Sequence, residues 1–531
     1  MSEVISPEPA PSPSVSTPAS EPAVEVFAVY GVEPEIQAYA MAKYSRSSLS
    51  MKESLREITA QKAEKFLNTF YFQYGHRSIA DLAHIALAIE RLSILAAIVV
   101  ADEQRWDGQE RSTRYQDFRK SGYYTPSFVN DGESASSRTL YRETIELLFT
   151  TYEQVSQRTF EYLASITPRP AEMKPDAYER TLRARAFDIA RYLLPLATNT
   201  SLGEIVNART LETQVAHLLS QPHQEVRALG ALLKRAAISP AYNANEESLR
   251  ALVAEIRAVS PEVAERAEGE LLRDVRVAPT LVKYADPNPY EIETRRELQQ
   301  AAAELMHNAD IEPAPLVDLI DADPLEIELP ATLLYGHCHY SYRQLRGAIE
   351  AAGEARRREI IDLGLRHRGR HDELPRPFSA GQQFRFDILM DIGGFRDMHR
   401  HRRCVQIMQD FTTLHGFDTP PEVDAAGIRL DYESAMRRAE ATVLKLSASG
   451  GEEAQQNAQY AIPLAFRKRT LFKMDFAEAV YISELRTTPA GHTSYRNVAY
   501  AMYEAVAAKY PALAKYFRVH DVREPVDLLK R

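Results

Sequence analysis

The chain predicts an α+β protein built from two copies of one domain. Three observations predict it. The length of 531 residues accommodates two large domains. Long stretches of helical periodicity alternate with shorter apolar runs. Above all, one set of local signals occurs twice in the same order. Lys43-Tyr44 has a counterpart in Lys283-Tyr284, and Tyr74-Gly75-His76 returns as Tyr335-Gly336-His337. Leu194-Pro195 returns as Ile462-Pro463, and the pair His223 and Arg227 returns as His492 and Arg496. The spacings differ, so insertions separate the copies, but shared order is a stronger signal than any single pair.

Residues 1–25 are rich in Pro, Ser, Ala and Glu and read as a disordered tail. They lack the basic start and apolar centre of a signal peptide. Order is expected from Val26. Met51 to Phe72 has helical spacing at Leu55, Ile58, Phe66 and Phe70. Ala83 to Ala101 is apolar and could be strand then helix, and periodicity alone does not decide. Thr139–Ala164, Ala184–Ala197 (closed by Leu194-Pro195), Thr210–Leu219 and Glu225–Ala237 read as helices. Ser248 to Leu272 is an acidic helical stretch that Pro261 divides into two. It reads as a solvated connector. The domains are therefore placed at 26–240 and 275–531, with a helical linker at 241–274.

The composition, 45% hydrophobic and 26% charged, is that of a globular protein. The net charge of −10 argues against a general nucleic-acid binder. Local basic clusters in an acidic chain point instead to a small anionic ligand. Cys338 and Cys404 are the two cysteines, too few for a disulfide framework, and a reducing cytoplasmic setting fits them. No apolar run reaches about 18 residues, so no membrane span is expected.

Two stretches look like complementary halves of a nucleotide-binding motif. In Glu110-Arg111-Ser112-Thr113-Arg114-Tyr115, an extended backbone would put Glu110, Ser112 and Arg114 on one face. A carboxylate, a hydroxyl and a guanidinium together suit a sugar-phosphate; a surface turn with routine ion pairs is the alternative. Arg396 to Arg403 holds four arginines and two histidines. Such a run repels itself unless an anion or carboxylates neutralise it, and a solvated basic helix face is its alternative. Metal binding fits poorly, since surrounding positive charge opposes a divalent cation. Asn207-Ala208-Arg209 and His223-Gln224-Glu225-Val226-Arg227 add two cations, and helix-surface ion pairs are the simpler account of both. Walker A, Gly-x-Gly-x-x-Gly, His-Glu-x-x-His and Gly-x-Ser-x-Gly signatures are absent from the sequence.

At these residues the chain resembles the flavin-dependent thymidylate synthase (ThyX-like) family, whose signature reads Arg-His-Arg-x-x-Ser-x-Asn-Glu-x-Ser-x-Arg. Glu110 to Tyr115 is similar to its later part, but Asp102-Glu103-Gln104 stand where the family has Arg-His-Arg. Arg400-His401-Arg402 keeps the first part, followed by Val405, Met408, Asp410 and Thr412 where the family has Ser, Glu, Ser and Arg. Gly75-His76-Arg77-Ser78, Asn207-Ala208-Arg209, Gln224-Glu225-Val226-Arg227 and Leu485-Arg486 resemble further family stretches. The resemblance implies, for each copy, a sheet packed with helices, and an enzyme that methylates deoxyuridylate (dUMP) to thymidylate using FAD, with NADPH and methylenetetrahydrofolate as cosubstrates. It implies dUMP contacts from Glu110, Ser112, Arg114, Arg209 and Arg227, with Arg227 also polarising the pyrimidine. It implies flavin contacts from His76, Ser78, Arg400, His401, Arg402 and Arg486. Because the family is a homotetramer of single domains, a homodimer with pseudo-tetrameric symmetry is expected. The alternative is a non-catalytic relative that keeps the fold as a flavin- or nucleotide-binding or scaffold protein.

Overall fold

A computed structural model describes residues 29, 31–43, 50–57, 77–126, 135–321, 323–369, 372, 375–378, 384–448 and 451–529. Tyr74, Gly75 and His76 lie outside the described residues, as does most of the helix expected at Met51–Phe72, of which Met51–Glu57 is helical.

In the first half, β1 (His84–Ser93) leads into a helix, Ile94–Ala101, and then β2 (Trp106–Glu110). The helices Ala135–Ile166 and Pro175–Ala190 follow, before β3 (Asn199–Asn207) and the helices Ala208–Leu219 and Gln224–Ile238. The sheet is antiparallel in the order β1-β3-β2. Each strand-to-helix junction is capped by a short polar side chain. Ser93 Oγ accepts from the Ala96 N–H, and Asn207 Oδ1 from that of Thr210. The helix expected over Ala184–Ala197 instead spans Pro175–Ala190 and ends in a 3-10 turn, Arg191–Leu193. The residue before Pro195 is held extended, which stops the helix early.

The second half adds one strand, β4 (Val317–Ile320), to the same plan. It continues with β5 (Phe384–Asp391), the helix Ile392–Met398, β6 (Val405–Met408), the helix Arg429–Ser447, β7 (Arg467–Met474), and the helices Phe476–Arg486 and Thr493–Lys509. The sheet order is β4-β5-β7-β6, so β5-β7-β6 repeats β1-β3-β2. The caps repeat as well, with Asp391 and Asp475 in place of Ser93 and Asn207.

The halves meet in reciprocal fashion. The Leu196 N–H donates to Ile462 O and the Leu464 N–H to Leu194 O; the Ala197 N–H donates to Tyr460 O and the Ala465 N–H to Tyr192 O. Pro195 and Pro463 form an antiparallel bridge between them. Thr144 and Thr442, buried on the two long helices, share a hydroxyl hydrogen bond of 2.8 Å. One apolar core runs through both halves, from Ala38 to Phe517, and a smaller one lies beneath the helices at 289–363. Residues 246–271 form the expected helical connector, broken at Ser260-Pro261 into Glu246–Val259 and Pro261–Leu271. No helix among the described residues is long and apolar enough to cross a membrane.

Candidate functional site at the seam between the halves

A cavity of about 200 Å³ opens where the first sheet meets the basic run of the second half. One wall is β2, with Trp106, Gly108, Gln109 and Glu110; the other carries Arg396, His399, Arg400 and Arg402; Ile98, Ala101 and Leu202 make the apolar floor. Gly108 is required here, because a Cβ would meet the Trp106 ring at 2.1 Å and the Gly203 carbonyl at 2.2 Å.

Carboxylates neutralise most of the basic run, and several come from the first half. Glu110 pairs with Arg396, whose Nη1 also donates to Thr113 Oγ1. Asp102 receives His399 Nε2 at 3.0 Å and Arg376 Nη1 at 2.7 Å, and these charges hold its carboxyl well below the usual range despite burial. Arg402 lies over the Trp106 ring at 5.1 Å and reaches Trp106 O and Asp107. Arg403 meets Asp475. His401 is buried, accepts from Arg486 Nε at 2.8 Å and lies 3.5 Å from Glu478; burial pushes its pKa down. Arg400 is exposed, and its guanidinium has no hydrogen-bond partner among the described residues. Asp102, from the first half, thus meets His399 and Arg376 of the second.

The extended face expected for Glu110, Ser112 and Arg114 does not form. β2 ends at Glu110 and the chain turns, with Ser112 Oγ accepting from the Arg114 N–H at 3.2 Å. Glu110 therefore faces the cavity while Arg114 turns inward, 9% exposed. Arg114 pairs with Asp188 through Nε and Nη2, both at 3.0 Å, and donates to Tyr495 OH at 2.8 Å and Ala490 O at 3.1 Å. These bonds use most of its donors. Burial raises the Asp188 carboxyl, but His492, Arg191 and Arg114 outweigh it and hold it at about 2. Arg486 and Arg114 both lie 5.5 Å from the Tyr495 ring, so Arg114, Arg486 and His401 form one connected group.

Three other residues lie outside the cavity. Ser78 sits in the 3-10 turn Arg77–Leu82, and Arg209 reaches Asp81 of that turn at 3.3 Å. Arg227, in the first turn of its helix, is exposed and donates to the carbonyls of Gln221 and Pro222. Glu225 accepts from the Ser93 N–H at 2.8 Å and its hydroxyl at 2.6 Å. Sequence reasoning did not single out Trp106, Asp188 and Tyr495. Trp106 carried a usable signal, being the chain's one tryptophan.

One family model matches the chain in two segments. The family described as "Thymidylate synthase complementing protein" matches residues 29–239 and 329–512. A UPF0159 protein of Chlamydia pneumoniae is 28% identical over 95% of this chain and 93% of its own length. Another from Thermoplasma acidophilum is 24% identical over 91% of this chain and 94% of its own. A "Flavin-dependent thymidylate synthase" of Clostridium tetani is 24% identical over 35% of this chain and 71% of its own. Among solved structures, Thymidylate Synthase X of Helicobacter pylori with FAD and dUMP covers 39% of this chain and 88% of its own at 15% identity, with a TM-score of 0.26. The two matched segments, one in each half, together span most of the sequence, and the chain belongs to the thymidylate synthase complementing protein family.

Proposed function

We propose that the chain is a flavin-dependent thymidylate synthase built from two diverged copies of one domain, with its cofactor site at the seam. The observation that carries this reading is that Glu110 of the first half and Arg400 and Arg402 of the second wall a single cavity. Each copy has lost the part of the signature that the other keeps there.

The residues present fit FAD in one respect: Arg400 offers an unengaged guanidinium, and the Arg396 Nε is buried without a partner. Arg400 and Arg402 would hold the pyrophosphate, with His401 fixed behind them by Arg486. The cavity is smaller than the ~300–1,000 Å³ of typical ligand clefts, so it would take a ring system, with the remainder of the dinucleotide lying along the exposed arginines. Bound FAD would supply hydride to a deoxyuridylate pyrimidine, with NADPH and methylenetetrahydrofolate as cosubstrates. Glu110 would orient the nucleotide through a hydroxyl, and its bond to Arg396 couples the two halves of the site. Arg227 and Arg209, outside this cavity, would serve the site of a second chain, so the functional unit is a homodimer of four domains.

The Arg114 ion pair favours a second reading, a flavin- or nucleotide-binding protein without catalysis, because that guanidinium is already engaged by Asp188. Visible absorption of the purified protein tests the first step. Bound flavin is expected, with a spectral change on adding dUMP, and Arg402→Ala should lose most of it. A protein that neither retains nor takes up flavin overturns the proposal. Flavin binding without thymidylate formation from dUMP, NADPH and methylenetetrahydrofolate establishes the non-catalytic reading.

A further inference from the structure

The chain's one tryptophan stands in the wall of the seam cavity. Trp106 opens β2 and is held at two points. Its indole N–H donates to Ala101 O at 3.4 Å. Its six-membered ring lies on Gly108, where a Cβ would stand 2.1 Å from Cζ3 and 2.8 Å from Cε3. Across β3, Trp106 faces Val206, Gly108 faces Glu204 and Glu110 faces Leu202, and those three β3 residues are buried. Trp106, Gly108 and Glu110 therefore share the inner face of the strand and one wall of the cavity.

What covers the indole is held far less firmly. The Arg402 guanidinium lies over the ring, 5.1 Å from its centroid, and reaches Trp106 O and Asp107. The Asp107 side chain is 90% exposed, and an ion pair in solvent is weak. The neighbouring cations have shielded partners, Glu110 for Arg396 and Asp102 for His399. Of these three paired cations, Arg402 is the one that moves at least cost. Its guanidinium is planar and rests on the indole much as an aromatic ring would. Moving it would uncover the indole and widen a cavity that is small for a dinucleotide.

We propose that Trp106 is the stacking platform for the isoalloxazine ring of the flavin, and that Arg402 leaves the indole for the pyrophosphate as the ring enters. The inference rests on the flavin reading. The ring is the isoalloxazine and not the adenine because Glu110, assigned to the nucleotide, stands on the same face of β2, and hydride must pass between those two ligands. Stacking on a fixed indole sets the plane of the ring without a hydrogen bond. Arg402 exchanges a solvated carboxylate for a charged phosphate partner. The exchange links the two parts of the cofactor: a ring without phosphate must displace the guanidinium and offers it nothing in return.

Riboflavin, which has the ring and no phosphate, separates these contributions. The full chain is titrated with FAD, riboflavin and ADP, following visible flavin absorption and the emission of the single tryptophan. Both flavins should quench Trp106, and ADP should not displace riboflavin. Trp106→Phe should hold both flavins within about threefold of wild type, whereas Trp106→Leu should weaken both by about tenfold, with thermal unfolding showing that each variant folds. Arg402→Gln should weaken FAD by at least about tenfold yet leave riboflavin equal or tighter, because the ring no longer competes with a guanidinium. The inference is overturned, with the flavin reading intact, if Arg402→Gln weakens riboflavin as much as FAD, if Trp106→Leu binds both at full affinity, or if ADP displaces riboflavin. A wild-type chain that takes up neither flavin overturns both.

Discussion

The two sheets share a strand order and differ in what covers their outer faces. On the first, Ala86, Ala88 and Gly203 are exposed and Ile205 is 53% exposed. On the second, the corresponding face carries Arg385, Asp387, Arg469 and Lys473, all buried under helices of residues 325–351. Those charges are paired. Glu328 holds Arg385 and Lys473, and Asp387 accepts from Arg469, Tyr335 and the Tyr342 N–H. The difference teaches that one strand order and one capping pattern can carry surfaces of opposite chemistry. The first sheet shows a face of small residues, while the second seals its face with an ionic layer. Such a layer adds little net stability but makes the loss of any one partner costly.

The largest effect should come from breaking that layer. Glu328→Gln removes the carboxylate that Arg385 and Lys473 share and should cost about 3–5 kcal/mol, read from urea denaturation. A loss under 1 kcal/mol would show that water or rearrangement already reaches the layer. Next is Glu204, on the inner face of the first sheet, 1% exposed and facing Gln214. Burial raises its pKa to about 7. Its folded pKa lies above its unfolded value, so the stability linked to its proton is full below about pH 4 and is lost as pH rises through 7. Glu204→Gln should therefore match the wild type at pH 4 and exceed it at pH 8, by on the order of 3 kcal/mol. Parallel pH profiles for the two proteins would refute a buried, proton-bearing Glu204. The second sheet has Phe472 at the matching register position and should show no such term.

Thr144 and Thr442 probe what the halves share. Thr144→Val strands a buried hydroxyl and should cost about 1–3 kcal/mol, whereas changing both to Val should be nearly neutral. Additive losses in that double-mutant cycle would mean the hydroxyls do not pair. The smallest effect is expected on the exposed face, where Ile205→Thr should stay within about 0.5 kcal/mol. A loss above 1 kcal/mol would show that the face is covered in solution.

Much of this was legible in the sequence wherever the information is local. Helical periodicity placed Ala135–Ile166, Ala208–Leu219 and Gln224–Ile238 to within a few residues, and Pro261 divided the connector. The doubled motif order anticipated the doubled strand order. Glu110 lines one cavity with Arg400 and Arg402, whereas Arg114 and Arg227, assigned with it to the nucleotide, do not. What could not be read was the partner of each charge. Arg114 was expected at a ligand and is held by Asp188, which lies 74 residues away in sequence. The gap between Glu225 and Ser93 is 132 residues. No spacing rule reaches such pairs, because tertiary packing alone decides them.

The connector at 246–271 joins halves that already grip each other through Pro195, Pro463 and a common core. Cutting the chain there would remove no strand of either sheet. A nick at Ser260-Pro261 should leave two fragments that co-purify and melt together, since the peptide link serves mainly to keep each half at high effective concentration for the other. The linker is then a tether between partners, and a pair of separately made halves should assemble without it.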